Sequence, residues 1–311
     1  MKKRIKNGSL ALGSILCVFC FIFSAFSGVK AEEKERISAV LYPEDGSAPF
    51  IPYDSYPRMD GSLACVPLCE AVAMEVTGCS EEEAEATLDD FSNTNPCYLH
   101  LAEGERDILL AYEPAQETVD ALMDYPALDM EPVGKDALVF LVNDKNPVES
   151  VTREQLIGIF TGEITNWKEV GGNDQEIKAF RRPETSGSQT LMRLLLIGDK
   201  EMVDERLETV STMDGIISRM TDYDNSSNAL GYSVFYYASA MFQQPGLKFL
   251  KVDGVEPSNE TIASGEYPLV NAFYCVTNEQ SSEEAIAIRD WLTGGQGQRF
   301  VEECGYVPVN P

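Results

Sequence analysis

The sequence has 311 residues, which is enough for about two domains at roughly 150 residues each. It is 44% hydrophobic and 24% charged, the composition of a globular protein and not of a disordered or fibrous one. Lys and Arg number 24 against 51 Asp and Glu, a net charge of −27. This balance argues against sequence-independent nucleic-acid binding, because cations are needed there to displace the counterions of phosphates. A single histidine, His100, leaves little room for a histidine-rich metal site.

Residues 1–31 have the pattern of a secretory signal peptide. Cations at positions 2, 3, 4 and 6 precede an apolar run, Leu10–Phe26, and Val29 and Ala31 place small residues at −3 and −1 of a cleavage site. The run is short for a membrane span, which needs about 20 residues, so cleavage after Ala31 is favoured over an uncleaved anchor. The sequence therefore predicts export, to the periplasm or to the extracellular face of the membrane.

The exported part begins with a polar, Pro-rich leader, 32–60, followed by helices with clear end signals. Pro67 stands just inside the start of the first helix and Gly78 just past its end. Ser80 and Glu83 have the spacing of a capping box, which predicts a short second helix.

Strands and helices then alternate to the end of the chain. The continuous apolar runs 107–112 and 137–142 are typical of strands buried on both faces of a sheet. Thr152 and Gln155 form a second capping box, for a helix over 153–160. Further strands are predicted at 177–180, 229–235 and 270–277, and further helices at 116–125, 186–197 and 282–292. This alternation predicts an α/β fold.

Six cysteines remain after cleavage: Cys65, Cys69, Cys79, Cys97, Cys275 and Cys304. An even number in an exported chain permits disulfides, but six cysteines allow 15 pairings and the sequence does not choose among them. No C-x-x-C pair is present, which argues against a zinc site or a thioredoxin-type centre. For Cys65 and Cys69, near a helix start, buried apolar packing explains the residues as well as a bridge does.

Two loops combine glycine and serine directly before a predicted helix. The first is Asp60–Pro67 and the second is Arg181–Thr190. A helix N-terminus exposes unpaired N–H groups and a partial positive charge, and Arg182 adds a planar fork suited to a tetrahedral oxyanion. Plain N-capping explains either loop alone. Both together, with an arginine, favour an anion site shared between two halves of the protein.

Four segments carry motifs of a single protein family. Residues 182–188 (RPETSGS) match the pattern R-x-x-x-S-G-[TS], and 159–172 match FxGxITNWxxVGG. Residues 230–233 (LGYS) and 265–269 (GEYPL) are further matches, in the right order along the chain. Over nearly the whole exported chain, the sequence therefore resembles the phosphate-binding proteins of ABC transporters.

The resemblance implies a type II periplasmic-binding-protein fold, with two α/β lobes, two crossover strands and a central ligand cleft. Lobe I would comprise 32–132 plus 268–311, and lobe II 133–267. The implied function is that of an extracytoplasmic solute-binding protein, which captures inorganic phosphate or a similar small oxyanion and delivers it to an ABC permease. It would act as a monomer, without a cofactor or a metal, and would not be an enzyme.

The resemblance also implies which residues contact the ligand. Lobe II would supply Arg182, Ser186, Gly187 and Ser188. Lobe I would supply Ser62, the backbone N–H groups of Leu63 and Ala64, and also Thr94 and Asn95. The segment around Trp167 is expected to pack within its lobe.

The chain departs from the family pattern in three places. Leu63 stands where the family has Ser or Thr, and 93–96 (NTNP) replaces a Gly/Ser-rich loop. In the third place, 110–114 (LAYEP) replaces a strand and turn whose aspartate accepts the proton of hydrogen phosphate. A carboxylate there discriminates against sulfate by repulsion. Glu113 is a candidate for this role, and an exposed loop acid is the alternative.

Two other functions stay open as alternatives: a sensor subunit for another small anion and, less favoured, a phosphate-ester hydrolase. The segment 185–188 (TSGS) lacks the G-x-S-x-G pattern of a nucleophile elbow. His100 lies in a mainly apolar context typical of a packed or half-exposed side chain. Residues 294–297 (GGQG) miss the spacing of a dinucleotide-binding loop and are predicted to form a helix C-cap and turn.

Overall fold

A computed structural model describes residues 40–203, 207–222 and 226–310; the predicted signal peptide lies outside these ranges. The strands are β1 (Met59–Gly61), β2 (Ile108–Tyr112), β3 (Asp129–Asn143), β4 (Ser150–Val151), β5 (Lys178–Arg181), β6 (Glu208–Thr209), β7 (Ala229–Val234), β8 (Leu247–Phe249), β9 (Lys251–Val252), β10 (Val270–Thr277) and β11 (Val307–Pro308). The α-helices are α1 (Val66–Thr77), α2 (Glu81–Ala86), α3 (Thr94–Ala102), α4 (Gln116–Ala121), α5 (Arg153–Thr161), α6 (Gly187–Met192), α7 (Met213–Asp222), α8 (Asn259–Ser264), α9 (Glu283–Thr293) and α10 (Gly295–Glu303). Short 3₁₀ or π turns lie at Tyr53–Ser55, Leu63–Cys65, Trp167–Val170, Arg193–Ile197, Ser226–Asn228 and Tyr237–Met241.

The main sheet is mixed, in the order β1-β2-β10-β3-β7-β5-β6, and β8 and β11 also pair with β3. β1 and β2 are parallel, as are β7, β5 and β6, whereas β10 runs antiparallel to both β2 and β3. Strands alternate with helices along the chain, so the α/β prediction is confirmed.

The long strand β3 divides the sheet into two halves. Its residues 129–137 pair with β10, and 138–141 pair with β7. The chain returns beside it, since Leu138 N–H donates to the carbonyl of Leu269 (2.9 Å) just before β10. These crossings separate a lobe containing β1, β2 and β10 (lobe I) from one containing β5 to β8 (lobe II). The exact limits proposed from the sequence, at 132/133 and 267/268, fall on these crossing segments and stay predictions.

Most elements with local end signals form as predicted. Both capping boxes are present, Ser80 with Glu83 at α2 and Thr152 with Gln155 at α5. The helix predicted over 116–125 ends earlier, at Ala121. The helix predicted over 186–197 is α6 continued by a π turn.

Two predictions about elements were wrong. β3 begins at Asp129, not at 137, because its first residues are partly exposed and polar and so lack the apolar run of its buried part. The C-cap predicted at Gly294 is confirmed, since Gly294 ends α9, but 295–297 do not form the predicted turn: they are the first residues of α10. Gly297 lets α10 pack directly on α9, since a Cβ there would lie 2.0 Å from the carbonyl oxygen of Trp291.

The core runs through both lobes, and the lobe II part includes the family-like segment around Trp167. Trp167 is buried and its Nε1 donates to the carbonyl of Asn228 (2.9 Å), so it packs within its lobe as expected. Phe140, Phe160 and Tyr232 form an aromatic cluster in the same core. None of the described helices combines the length and apolarity needed to cross a membrane.

All six described cysteines are free thiols. Cys65 and Cys69 are fully buried, and burial raises the pKa of both thiols well above the ordinary value. They are therefore apolar packing residues, which is one of the two interpretations that the sequence left open.

Asp136 is a buried carboxylate at the crossing between the lobes. It is 2% exposed and accepts hydrogen bonds from Tyr112 Oη (2.6 Å), Ala137 N (2.7 Å) and Tyr236 N (3.2 Å). Burial raises the pKa of Asp136 to about 6, although these hydrogen bonds act in the opposite direction.

This shift predicts a pH dependence of stability. The native state holds the Asp136 proton more tightly than the unfolded state, where the pKa is near 3.8, so the free energy of unfolding falls as pH rises from about 4 to about 6. Asp136→Asn cannot titrate and should flatten this part of the profile. Relative to the unaltered protein, the free energy of unfolding of Asp136→Asn should rise by up to about 3 kcal/mol between pH 4 and pH 7. Urea denaturation over this pH range measures the effect, and Asp89→Asn, at an exposed position, is the control. Parallel profiles for the unaltered protein and Asp136→Asn would contradict the prediction.

Candidate functional site

Two turns, one from each lobe, face each other across a small cavity of about 20 Å³. The first turn follows β1 and the second follows β5. The described residues that line the cavity are Ser62, Leu63, Ala64, Asn93, Thr94, Tyr112, Arg182, Ser186, Gly187, Ser188 and Val234. Eight of the ten ligand-binding residues predicted from the sequence are therefore brought together here, and Asn95 and Glu113 are not among the lining residues.

The lobe I turn is held against strand β2. Gly61 is required there because a Cβ would lie 1.9 Å from the carbonyl oxygen of Leu110. Ser62 N–H donates to that same carbonyl (3.0 Å), and Ser62 Oγ accepts the N–H of Tyr112 (3.0 Å). Ser62 Oγ also lies 2.7 Å from Thr94 Oγ1. Only one of these two hydroxyls donates to the other, so the pair keeps one proton available for the cavity.

Helix α3 points its N-terminus at the same cavity. Thr94 is its first residue, and the preceding Asn93 makes no side-chain capping hydrogen bond. The first N–H groups of a helix have no intrahelical acceptor and carry partial positive charge, so this end of α3 suits an anion. The loop expected here from the sequence is therefore wrong from Thr94 onward. Pro96, in the first helical turn, is the signal that could have revealed the helix.

A buried carboxylate, Asp60, shapes the lobe I turn from behind. It is fully buried and accepts from Gly61 N (2.7 Å), Ser92 N (2.8 Å) and Ser92 Oγ (2.6 Å). His100 Nδ1 (3.3 Å) and Arg106 Nε (3.5 Å) also face it. His100 is therefore a half-exposed structural partner of Asp60, in line with its sequence context. Asp60 is not among the site residues predicted from the sequence, because its role depends on contacts with residues distant in sequence.

Arg182 supplies the cation of the lobe II turn. It is 3% exposed, its backbone N–H donates to Tyr232 Oη (2.8 Å), and its Nη1 donates to the carbonyl of Val210 (3.1 Å). Tyr232 Oη in turn donates to Gln189 Oε1. These contacts fix the arginine before any ligand arrives. Among the described residues that line the cavity, Arg182 carries the charge and no carboxylate accompanies it.

The start of α6 lies next to Arg182. Ser186 is the N-cap, and its Oγ accepts the N–H of Gln189 (3.3 Å). Ser188 is 2% exposed, and its Oγ has no hydrogen-bond partner within the described ranges. A buried hydroxyl without a partner is costly, and because Ser188 lines the cavity, a ligand bound there can supply the missing hydrogen bond.

The two turns approach closely where Gly187 meets the side chain of Thr94. A Cβ on Gly187 would lie 2.2 Å from Thr94 Oγ1, across the gap between the lobes. Lobe II contributes Gly187 and lobe I contributes Thr94, so this contact exists only while the lobes are closed. The arrangement presents N–H groups, hydroxyls and one guanidinium to a common point, and its chemistry is that of an anion site.

The two remaining predicted residues lie beside the cavity. The carboxamide of Asn95 bonds to both lobes: its oxygen accepts from Ala115 N (2.7 Å), and its nitrogen donates to Thr190 Oγ1 (3.1 Å). The carboxylate of Glu113 accepts a hydrogen bond from Tyr274 Oη (2.9 Å). The structure places neither side chain on the cavity wall. In the part of the chain that is described, no group of three or more His, Cys, Asp or Glu residues could hold a metal ion.

Residues 87–294 match a family model described as "PBP superfamily domain", and the chain belongs to this family. The two-lobed periplasmic-binding-protein fold expected from the sequence is confirmed. Among curated relatives, "Phosphate-binding protein PstS" of Bacillus subtilis is 27% identical over 98% of this chain and 95% of that protein. The protein of the same name from Borreliella burgdorferi is 31% identical over 56% of this chain and 63% of that protein.

Solved structures agree with this assignment of the fold. A Clostridium perfringens protein with bound phosphate superposes with a TM-score of 0.63 at 24% identity, covering 81% of this chain and 98% of that one. An ABC-type phosphate transport receptor from Vibrio cholerae gives 0.59 at 23% identity, covering 80% and 98%. At these identities the likeness shows the fold.

The contact between Gly187 and Thr94 predicts the effect of a single methyl group. Gly187→Ala places a Cβ against Thr94 Oγ1 and should prevent full closure, so calorimetric titration with phosphate should show affinity at least about tenfold weaker. The matched control is Gly295→Ala, whose Cβ meets nothing within 4 Å. Equal affinities for Gly187→Ala and the unaltered protein would show that the lobes do not need this contact.

Proposed function

We propose that this protein is an exported solute-binding protein that captures inorganic phosphate, or a similar small oxyanion, between its lobes and delivers it to an ABC permease. The observation that carries the proposal is the convergence of Arg182, the unpartnered Ser188 Oγ and two helix starts on one small cavity between the lobes. The names of the curated relatives and of the Vibrio cholerae receptor support the same ligand and the same transport system.

Each lobe would supply part of the coordination. Arg182 would give a forked pair of donors to two phosphate oxygens, with Ser188 Oγ, the Ser186 hydroxyl and the N–H groups of Gly187 and Ser188 beside it. Lobe I would add the hydroxyl pair of Ser62 and Thr94 and the N–H groups of Leu63 and Ala64. The small volume of the cavity suits an inorganic ion and not an organic phosphate.

Binding, not catalysis, fits the serine residues of the site. Ser186 Oγ accepts the N–H of Gln189, and Ser188 Oγ has no general base in contact within the described ranges. The protein would act as a monomer without a cofactor. A sensor subunit that presents the bound anion to a membrane partner is the second role compatible with the same site.

Arg182→Ala tests the ligand site directly. Removing a buried, ligand-paired guanidinium should weaken phosphate binding by at least about 30-fold, measured by calorimetry on the exported chain. Ser233→Ala is the control: Ser233 is a fully buried serine of β7, and its Oγ has no partner in the described ranges. It shares the strand face of Gly231, which packs on Ile216 and Met220 of α7, and so it points away from the cavity.

The same experiment separates the alternatives. Titration with phosphate, arsenate, sulfate and small organic anions identifies the ligand, and an assay with p-nitrophenyl phosphate tests hydrolysis. Turnover of the ester, or phosphate binding that survives Arg182→Ala, would overturn the proposal.

Glu113→Gln tests which group accepts the proton of hydrogen phosphate. Because Glu113 bonds to Tyr274 and does not line the cavity, the ratio of phosphate to sulfate affinity should stay unchanged. The hydroxyls of Ser62 and Thr94 would then serve as acceptors, since a hydroxyl both donates and accepts. A clear loss of preference for phosphate in Glu113→Gln would assign the proton to Glu113 instead.

A further inference from the structure

Asn95 is a buried polar residue that spans the gap between the lobes. It is 7% exposed, and its Oδ1 accepts from Ala115 N (2.7 Å) and Thr118 Oγ1 (3.1 Å), both in lobe I. A backbone N–H donates and never accepts, so the atom facing Ala115 must be the carboxamide oxygen. The orientation of the amide is therefore fixed, and its nitrogen must face lobe II.

The nitrogen of Asn95 meets acceptors on the lobe II turn. Nδ2 donates to Thr190 Oγ1 (3.1 Å) and, at longer range, to the carbonyl of Glu184 (3.4 Å). Thr190 Oγ1 donates its own proton to the carbonyl of Ser186 (3.2 Å), which leaves its lone pairs for Asn95. A continuous chain of hydrogen bonds thus runs from the start of α4, through Asn95 and Thr190, to the N-cap residue of α6.

This chain joins the two segments that carry the cavity. Thr94, next to Asn95, lines the cavity from lobe I, and Ser186 lines it from lobe II. Both polar atoms of Asn95 are occupied by protein partners, so the side chain has no donor left for an anion. Separation of the lobes must break its bonds to Thr190 and Glu184, because those residues lie on the opposite lobe.

We propose that Asn95 is a positioning residue that holds the lobes closed over the bound anion and so sets how long the anion stays. This inference rests on the proposed function and assigns Asn95 a role other than ligand contact. The bonds of Asn95 to lobe II exist only in the closed arrangement. They stabilise the closed complex and leave the encounter of the anion with the open cleft unaffected, so they act on dissociation and not on association.

The test is a double-mutant cycle read by stopped-flow kinetics of phosphate binding to the exported chain. Asn95→Ala and Thr190→Val should each raise the dissociation rate about three- to tenfold, the value of one or two hydrogen bonds, with an unchanged association rate. The double variant should be no faster than Asn95→Ala alone, because both changes remove the same link. Thr161→Val is the matched control: Thr161 Oγ1 donates to the carbonyl four residues earlier (Ile157, 2.9 Å), as Thr190 does, but within the described residues it makes no hydrogen bond to lobe I.

A purely structural role gives a different result. In that case the effects of Asn95→Ala and Thr190→Val on the dissociation rate would add, or the two variants would change the association rate instead. Alternatively, Thr161→Val would raise the dissociation rate as much as they do. Each of these outcomes overturns the inference. Urea denaturation of the ligand-free variants shows that they are folded. Failure of the unaltered protein to bind phosphate would instead overturn the proposed function, and this inference with it.

Discussion

Two helix starts, those of α3 and α6, point at one another across a gap that holds little more than one small ion. Both ends carry partial positive charge and unpaired N–H groups, and Arg182 adds a full charge between them. Such an arrangement repels itself unless an anion lies in the gap. The ligand therefore favours the closed state by its differential interaction with it, which is the condition for a ligand to drive a hinge. The rest of the site serves to hold these donors and this charge around the gap.

Buried polar residues behind each turn hold the donors of the site in place before the ligand arrives. Asp60 accepts a hydrogen bond from the N–H of Gly61 in the lobe I turn, and Tyr306 Oη donates to the carbonyl of Ala64 in the same turn (2.7 Å). On lobe II, Tyr232 receives the N–H of Arg182. Since these groups are satisfied by protein, the energy of ligand binding is not consumed in ordering the turns. Among the described residues that line the cavity, Ser188 is the one whose hydroxyl has no protein partner.

The sequence allowed prediction of those parts of the fold that depend on neighbours along the chain. Capping boxes such as Thr152 with Gln155 and apolar runs such as 137–142 report local geometry directly, and the Arg182–Ser188 loop identified lobe II's side of the site. Helix α3 was missed because its first residues are polar and uncapped, and these are the features that free its N–H groups for a ligand. The turn predicted at 294–297 was wrong for the opposite reason. Glycines that usually break a helix there allow α10 to pack against the backbone of α9.

The roles of single side chains were harder to predict, because they depend on distances between segments far apart in sequence. Asn95 and Glu113 stand beside residues that line the cavity, and a shift of one position changes the direction of a side chain completely in a strand or a helix start. Glu113 follows Tyr112 on the way out of β2 and meets Tyr274 of the neighbouring strand β10. A residue that is close in sequence to a site residue thus lies near the site, but only the fold determines whether its side chain contacts the cavity.

The strongly acidic surface does not contradict an anion site in the interior. Exposed charges are screened beyond about 8 Å at physiological salt, whereas Arg182 acts from a buried position where screening is weak. A buried acid of the lobe I turn, Asp60, is faced by Arg106 and His100 and accepts three further hydrogen bonds, so its negative charge is partly compensated by protein groups. The net charge of −27 therefore acts on the rate at which an anion approaches the molecule, and the donors at the cavity decide whether it is held.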